Sequence, residues 1–187
     1  MIKAIETSYN GYRFRSRLEA RWAVFLDAAG VEYKYEPEGY KLDGVCYLPD
    51  FWLPGLDCWF EVKGGQITDD ASHKAYMLCR GTHKVVIVAG DHFNGKRPDH
   101  MWRFFYLDGY TFHGVCNNHD AAWAQCGRCN MVAPVVYEMF ISSYGSMEGI
   151  PLCPCGPRTE DFRQPDAALV LSAYAEARRA RFERTER

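Results

Sequence analysis

Asp50, Glu61 and Lys63 are ionisable residues whose spacing would allow them to act together. On a β-strand, residues two positions apart project from the same face, so Glu61 and Lys63 would point together while Val62 turns into the core. Asp50 lies near the end of the preceding predicted strand, which a short turn would pair antiparallel with this one. Two carboxylates and an ammonium would then converge, and hard oxygen ligands of this kind bind Mg²⁺.

The alternative for Glu61 and Lys63 is an ordinary solvated ion pair on a strand, which has no chemical role. Glu19 also has a structural alternative, because Ser16 and Glu19 form an S-x-x-E capping box. The predicted strands are rich in aromatic residues around the three ionisable groups, namely Phe51, Trp52, Trp59 and Phe60. Burying ionisable groups in such surroundings is costly unless they bind something, which favours a functional site.

The elements that would position these residues follow from apolar periodicity and turn signals. A helix is predicted over 16–30, capped by Ser16 and ended by Gly30. Further predictions are strands at 31–36, 45–52 and 57–63, a helix at 69–80 closed by Gly81, and a buried strand at 85–89. This order predicts an α/β fold with a mixed central sheet flanked by helices.

The pattern P-D-x(10)-E-V-K, from Pro49 to Lys63, resembles the PD-(D/E)XK nuclease superfamily. The resemblance extends upstream to Glu19, because many members carry an acidic residue on the helix before the first strand. The spacing and order of the motif are similar to those of phage-type nucleases, including the junction-resolving endonuclease I of a lytic phage. The stretch 14–64, with its R-S-R-L-E-A-R-W opening, also resembles small phage proteins of this superfamily. The resemblance implies a restriction-endonuclease-like fold.

The resemblance also implies a role for each matched residue. Asp50, Glu61 and the Val62 carbonyl would hold a catalytic Mg²⁺ or Mn²⁺. Lys63 would orient or activate the attacking water, and Glu19 would position a second metal or the water. The expected activity is metal-dependent hydrolysis of phosphodiester bonds, most of all in DNA. Duplex, single-stranded, branched and RNA substrates all remain compatible with the pattern, as do endonuclease and exonuclease action.

Two closely spaced cysteine pairs indicate a second kind of metal site. Cys126, Cys129, Cys153 and Cys155 could close a tetrahedral, structural Zn²⁺ site in a zinc-ribbon-like module. Cys116 and His119 form a rival pair that could replace one of these or make a second site. Loop thiols without metal are the alternative. The remaining cysteines, Cys46, Cys58 and Cys79, are expected to be small core residues.

Arginines cluster near both predicted terminal helices. Arg13, Arg15, Arg17 and Arg21 surround Glu19 and are predicted to contact nucleic-acid phosphates. The last helix, predicted over 166–184, carries a second basic cluster that could serve binding or solubility. One side of it is formed by Leu171, Tyr174, Ala175, Arg178 and Phe182. We therefore divide the chain into a nuclease core at 1–112, a cysteine-rich module at 113–160 and a C-terminal basic helix at 161–187.

The composition limits the classes of partner. With a formal net charge of −2, the chain would need a local basic surface to bind nucleic acid. No apolar run approaches the ~18 residues that span a bilayer, and no signal peptide is evident, so we expect a cytoplasmic protein (host cytoplasm if phage-encoded) without a membrane partner. A homodimer is compatible with the nuclease hypothesis, since cutting both strands of a duplex often needs two active sites.

The rival hypothesis is a non-catalytic nucleic-acid- or protein-binding module that uses the zinc ribbon.

Overall fold

A six-stranded mixed sheet and three α-helices organise the part of the chain that the computed structural model describes, residues 4–65, 67–93, 102–108, 111–115, 121–136 and 167–182. The helices are α1 (Arg17–Ala28), α2 (Asp69–Thr82) and α3 (Ala168–Arg179). The strands are β1 (Thr7–Tyr9), β2 (Tyr12–Phe14), β3 (Lys34–Tyr35), β4 (Tyr40–Leu42), β5 (Val45–Tyr47), β6 (Phe51–Leu53), β7 (Cys58–Val62), β8 (Val85–Ala89), β9 (Trp102–Asp108), β10 (Thr111–Val115), β11 (Ala121–Gln125) and β12 (Val132–Val136).

The main sheet has the strand order β10-β9-β8-β7-β6-β3. All neighbours are antiparallel except β7 and β8, which are parallel and are connected through α2. Parallel neighbours need such a crossover connection, whereas β6 and β7 are joined by a short 3₁₀ helix at Pro54–Leu56. Three two-stranded hairpins, β1–β2, β4–β5 and β11–β12, lie outside this sheet. The predicted α/β class is confirmed.

Helix α1 begins and ends through the caps that its sequence predicts. The Ser16 hydroxyl oxygen accepts a hydrogen bond from the Glu19 amide at 3.2 Å, and Gly30 has the left-handed φ of +69° that glycine adopts readily. Trp22, Phe25 and Leu26 are completely buried on its inner face. Their burial fixes α1 against the core, and therefore fixes the position of its first turn.

Helix α2 differs from its prediction at the C-terminal end. Gly81 lies within the helix, which continues to Thr82, and His83 supplies the left-handed cap with φ of +55°. The prediction that Gly81 closes the helix is therefore wrong. A Cβ at Gly81 would lie 3.1 Å from Leu42 Cδ2, so the glycine serves close packing against β4 instead.

The single strand predicted at 45–52 is also wrong. Residues Val45–Tyr47 pair with β4, whereas Phe51–Leu53 belong to the main sheet, and residues 48–50 belong to neither strand. Pro49 lies in this break, where its missing amide proton costs no ladder hydrogen bond. The strand predicted at 31–36 is likewise reduced to Lys34–Tyr35.

The hairpin β11–β12 and helix α3 share a core with α1. Trp123 and Val170 belong to the same buried cluster as Trp22 and Phe25. Helix α3 ends earlier than predicted, and Leu171 is exposed on it. The domain boundaries after residues 112 and 160 stay predictions. Within the described ranges, no helix combines the length and apolar character needed to cross a membrane.

Candidate metal and nuclease site

Asp50 and Glu61 meet at one end of the β6–β7 pair. Phe51 is registered opposite Phe60, so the residues immediately before β6 lie beside Glu61. The Asp50 amide donates to Glu61 Oε1 at 3.0 Å, and the Val62 amide donates to Asp50 Oδ2 at 2.7 Å. Both side chains are almost completely buried. These reciprocal hydrogen bonds hold the two carboxylates side by side in a fixed geometry.

Lys63 extends the same strand and contacts Glu61. Its Nζ lies 3.1 Å from Glu61 Oε2, and its backbone amide donates to the Ala89 carbonyl at 2.8 Å, which fixes the end of β7 beside β8. The Val62 side chain is buried, as the alternation predicts. Burial lowers the pKa of Lys63, but the negative charges of Glu61 and Asp50 raise it by more. The net result is a raised pKa of Lys63. The ammonium therefore stays charged next to the carboxylates.

The ionised form of Asp50 is unfavourable in this site. Burial, followed by the nearby negative charge of Glu61, raises the pKa of Asp50 well above its ordinary value, and Lys63 offsets only part of the shift. Tyr47, from the β4–β5 hairpin, faces the same carboxylates. Burial and the interaction of its hydroxyl with Glu61 raise the pKa of Tyr47, so the phenol remains a neutral hydrogen-bond donor. Burial and the neighbouring negative charge therefore disfavour the carboxylate form of Asp50, and a bound cation would favour it.

Glu19 lies next to this pair and is held by a separate set of hydrogen bonds. Its Oε1 accepts from the Ser16 hydroxyl at 2.7 Å, while Oε2 accepts from the Tyr35 hydroxyl at 2.6 Å and the Arg15 amide at 3.0 Å. Its negative charge contributes to the raised pKa of Asp50. The predicted capping role of Glu19 is thus accompanied by electrostatic contact with the site, whereas its catalytic role stays a prediction.

Arg15 connects the carboxylates of the site. Its Nη2 lies 2.5 Å from Asp50 Oδ1, and its Nε lies 2.6 Å from Glu36 Oε1. The surrounding carboxylates are Glu19, Glu36, Asp50 and Glu61. Two cationic side chains, Arg15 and Lys63, lie beside these four carboxylates. When all six groups are ionised, the site has an excess of two negative charges.

This donor set fits a single divalent cation. Across the ranges that the structure describes, no three His, Cys, Asp or Glu side chains group closely enough to hold a metal ion. A cation bound at the paired carboxylates would have Asp50 and Glu61 as its side-chain ligands, and the Val62 carbonyl is the predicted backbone ligand. Mg²⁺ commonly uses one or two carboxylates together with water and phosphate, which this arrangement matches.

The other predicted phosphate-binding arginines lie around the first turn of α1. Arg13 is exposed and forms an ion pair with Glu6. Arg17 and Arg21 are half-buried on α1. Of the four arginines, Arg15 is the one whose guanidinium contacts Asp50 of the central carboxylate pair. A role for this group in nucleic-acid binding stays a prediction.

The first cysteine pair occupies the turn of the β11–β12 hairpin. Cys126 is buried and Cys129 is exposed, and the Cys126 sulfur accepts from the Arg128 amide at 3.5 Å. The turn is closed by the Asn130 amide on the Cys126 carbonyl at 2.9 Å. The other predicted ligands, Cys153 and Cys155, and the rival pair Cys116 and His119, lie outside the described residues. The expectation that Cys46 is a core residue is wrong, because it is exposed; Cys58 and Cys79 are buried as predicted.

Tyr35, Tyr47 and Glu36 are site residues that the sequence analysis missed. Each is brought to the carboxylates by tertiary structure: Tyr35 and Glu36 through the β3–β6 pairing, and Tyr47 through the β4–β5 hairpin.

No protein-family model, curated protein or solved structure is significantly similar to the chain.

Proposed function

We propose that this chain is a Mg²⁺- or Mn²⁺-dependent deoxyribonuclease with a restriction-endonuclease-like core, in which Asp50, Glu61 and Lys63 form the hydrolytic site. The observation that carries the proposal is the buried pair of carboxylates, which backbone amides hold side by side by hydrogen bonds. The Lys63 ammonium lies 3.1 Å from Glu61. A solvated ion pair would not require this burial. The parallel pair β7–β8, connected through α2 directly after the carboxylates, supports the fold assignment.

The electrostatics of the site favour a divalent cation. Two like charges about 4 Å apart repel each other by about 4 kcal/mol when the effective dielectric constant is near 20. Repulsion of this kind between Asp50 and Glu61 contributes to the raised pKa of Asp50, and a divalent cation between the two carboxylates would remove it. When bound, a divalent cation lowers the pKa of a coordinated water and neutralises charge on the scissile phosphate.

The protein's own groups supply the remaining parts of the reaction. Asp50 and Glu61 hold the cation, together with the Val62 carbonyl. Lys63 orients the attacking water through its Nζ and stabilises negative charge that develops on the phosphate. Glu19 fixes the backbone at the start of α1. Arg13 on β2, with Arg17 and Arg21 on α1, would bind neighbouring phosphates.

A nicking assay tests this function directly. Supercoiled plasmid should be nicked in Mg²⁺ or Mn²⁺ and remain intact in EDTA. Asp50→Asn and Lys63→Ala should lose the activity, whereas Glu32→Gln, which removes an exposed carboxylate outside the site, should retain it. Linear, branched and single-stranded DNA and RNA, assayed in parallel, identify the substrate. Metal-dependent cleavage that persists in both site variants would overturn the assignment.

Among the residues that the structure describes, the cysteine turn of the β11–β12 hairpin is the feature that favours the rival function, a non-catalytic binding module. We propose that Cys126 and Cys129, together with Cys153 and Cys155, bind a structural Zn²⁺, with Cys116 and His119 as the rival ligands. The amide donor on the Cys126 sulfur supports this, because such a hydrogen bond stabilises a thiolate ligand. Nucleic-acid binding without cleavage under any metal condition would favour the rival function.

A further inference from the structure

The Arg15 side chain covers the buried carboxylate at which the proposed cation would bind. Its guanidinium is 2.5 Å from Asp50 Oδ1 and 2.6 Å from Glu36 Oε1. The Arg15 side chain is 52% exposed, whereas that of Asp50 is only 4% exposed. Arg15 therefore lies between solvent and Asp50, and an ion that approaches Asp50 from this side meets the guanidinium first.

The two oxygens of Asp50 are engaged differently. Oδ2 accepts the Val62 amide, which belongs to the rigid backbone of β7, at 2.7 Å. Oδ1 is held by Arg15, whose flexible side chain can leave. A divalent cation that binds Asp50 through Oδ1 competes with the guanidinium for the same oxygen, because two positive charges repel each other at that range.

Only the side chain of Arg15 is free to move. Its backbone amide donates to both Glu19 Oε2 and the Tyr35 hydroxyl, each at 3.0 Å. Tyr35 in turn packs against Phe14 and Phe51 in the core. The backbone anchor keeps the guanidinium within reach of whatever binds beside Asp50, while its long stem allows it to rotate outwards.

We propose that Arg15 is an exchangeable counter-ion: it neutralises Asp50 until a divalent cation binds there, and then transfers its guanidinium to a phosphate of the nucleic acid. This inference rests on the proposed function and adds to it a means of regulation. A guanidinium fork suits phosphate as well as carboxylate. Because cation binding releases Arg15 towards the phosphate, the cation and the nucleic acid each strengthen the binding of the other.

The test compares Arg15→Gln with Lys34→Gln, which removes one positive charge from an exposed site on β3. Mn²⁺ binding is measured by electron paramagnetic resonance of the free ion. Binding of a fluorescein-labelled DNA duplex is measured by anisotropy in Ca²⁺ and in EDTA. Without DNA, we expect R15Q to bind Mn²⁺ roughly 3- to 10-fold more tightly than wild type, because the competing ion pair is gone.

The same variant should bind the duplex about 3-fold or more weakly, and Ca²⁺ should strengthen its DNA binding less than that of wild type. K34Q should match wild type in Mn²⁺ affinity. Arg15→Lys keeps the charge without the fork, and its Mn²⁺ affinity should lie between those of wild type and R15Q.

Several outcomes would overturn the inference, and they are distinguishable from failure of the nuclease assignment. Equal Mn²⁺ affinities of wild type and R15Q would show that Arg15 does not compete with the cation. Tighter Mn²⁺ binding with unchanged DNA affinity would show that the guanidinium does not transfer to phosphate. Absence of Mn²⁺ binding in both proteins would overturn the proposed function, and this inference with it.

Discussion

Replacing Asp50 with Asn should abolish metal-dependent cleavage and, in EDTA, stabilise the fold. The amide oxygen can keep the hydrogen bond from the Val62 amide, while the negative charge next to Glu61 disappears. The relieved repulsion, at most about 4 kcal/mol, is partly offset by the Lys63 charge and by loss of the Arg15 ion pair, worth ~0.2–1 kcal/mol at its half-exposed position. We expect a net gain of roughly 1–2 kcal/mol, or a rise in Tm of about 2–8 °C.

The pH dependence of this gain distinguishes charge relief from other causes. The pKa of Asp50 in the folded protein lies above its unfolded value of about 3.9. The folded chain therefore binds this proton more tightly, and the contribution of Asp50 to stability falls as the pH rises from the unfolded to the folded pKa. The stability advantage of D50N over wild type should vanish at acid pH. It should grow as the pH rises through this window and then level off.

Thermal unfolding in EDTA across this pH range, followed by circular dichroism, measures the effect. Glu32→Gln removes an exposed carboxylate and serves as the matched control, with a shift in Tm near zero. A D50N protein that is less stable than wild type at neutral pH would refute the reasoning. It would show that the ion pair with Arg15 outweighs the repulsion from Glu61.

Three further substitutions separate the roles of the remaining site residues. Lys63→Ala should retain Mn²⁺ binding but lose cleavage by about 100-fold or more, and a wild-type rate would remove Lys63 from the mechanism. Glu19→Gln should cost about 1–3 kcal/mol in urea unfolding, because its single amide oxygen can accept either from Ser16 or from the Arg15 amide and Tyr35, and it should also slow cleavage markedly. Equal rates would leave Glu19 with a capping role alone. Elemental analysis should find about one zinc per chain, lost in Cys126→Ser but kept in Cys46→Ser; a wild-type protein without zinc would remove the proposed zinc module.

The features that sequence predicts well here are local. Helix α1 was predictable because Ser16 and Gly30 mark its ends and its apolar residues repeat at helical spacing. The buried strand β8 was predictable from its continuous apolar run. Glu61 and Lys63 share a face because alternation along a strand is a local rule, and the structure brings both to Asp50.

The features that were missed depend on which strand pairs with which. Asp43-Gly44 is a two-residue turn in which both residues have positive φ, a hairpin signal that was present in the sequence. Had it been used, the strand predicted at 45–52 would have been divided, and Tyr47 would have been assigned to a separate hairpin. The contact between Arg15 and Asp50, 35 residues apart, has no local signal at all. It depends on the pairing of β3 with β6.

The capping box of α1 joins helix formation to the electrostatics of the site. Ser16 and Glu19 start the helix, and the same Glu19 carboxylate fixes the Arg15 amide, from which the guanidinium reaches Asp50. A change that loosens the first turn would therefore move a positive charge away from the carboxylate pair. Because Asp50 is unfavourable as an isolated ion, such a change alters its protonation as well as its geometry. A loss of stability at this helix start should consequently be accompanied by tighter cation binding at Asp50, because the competing guanidinium is displaced.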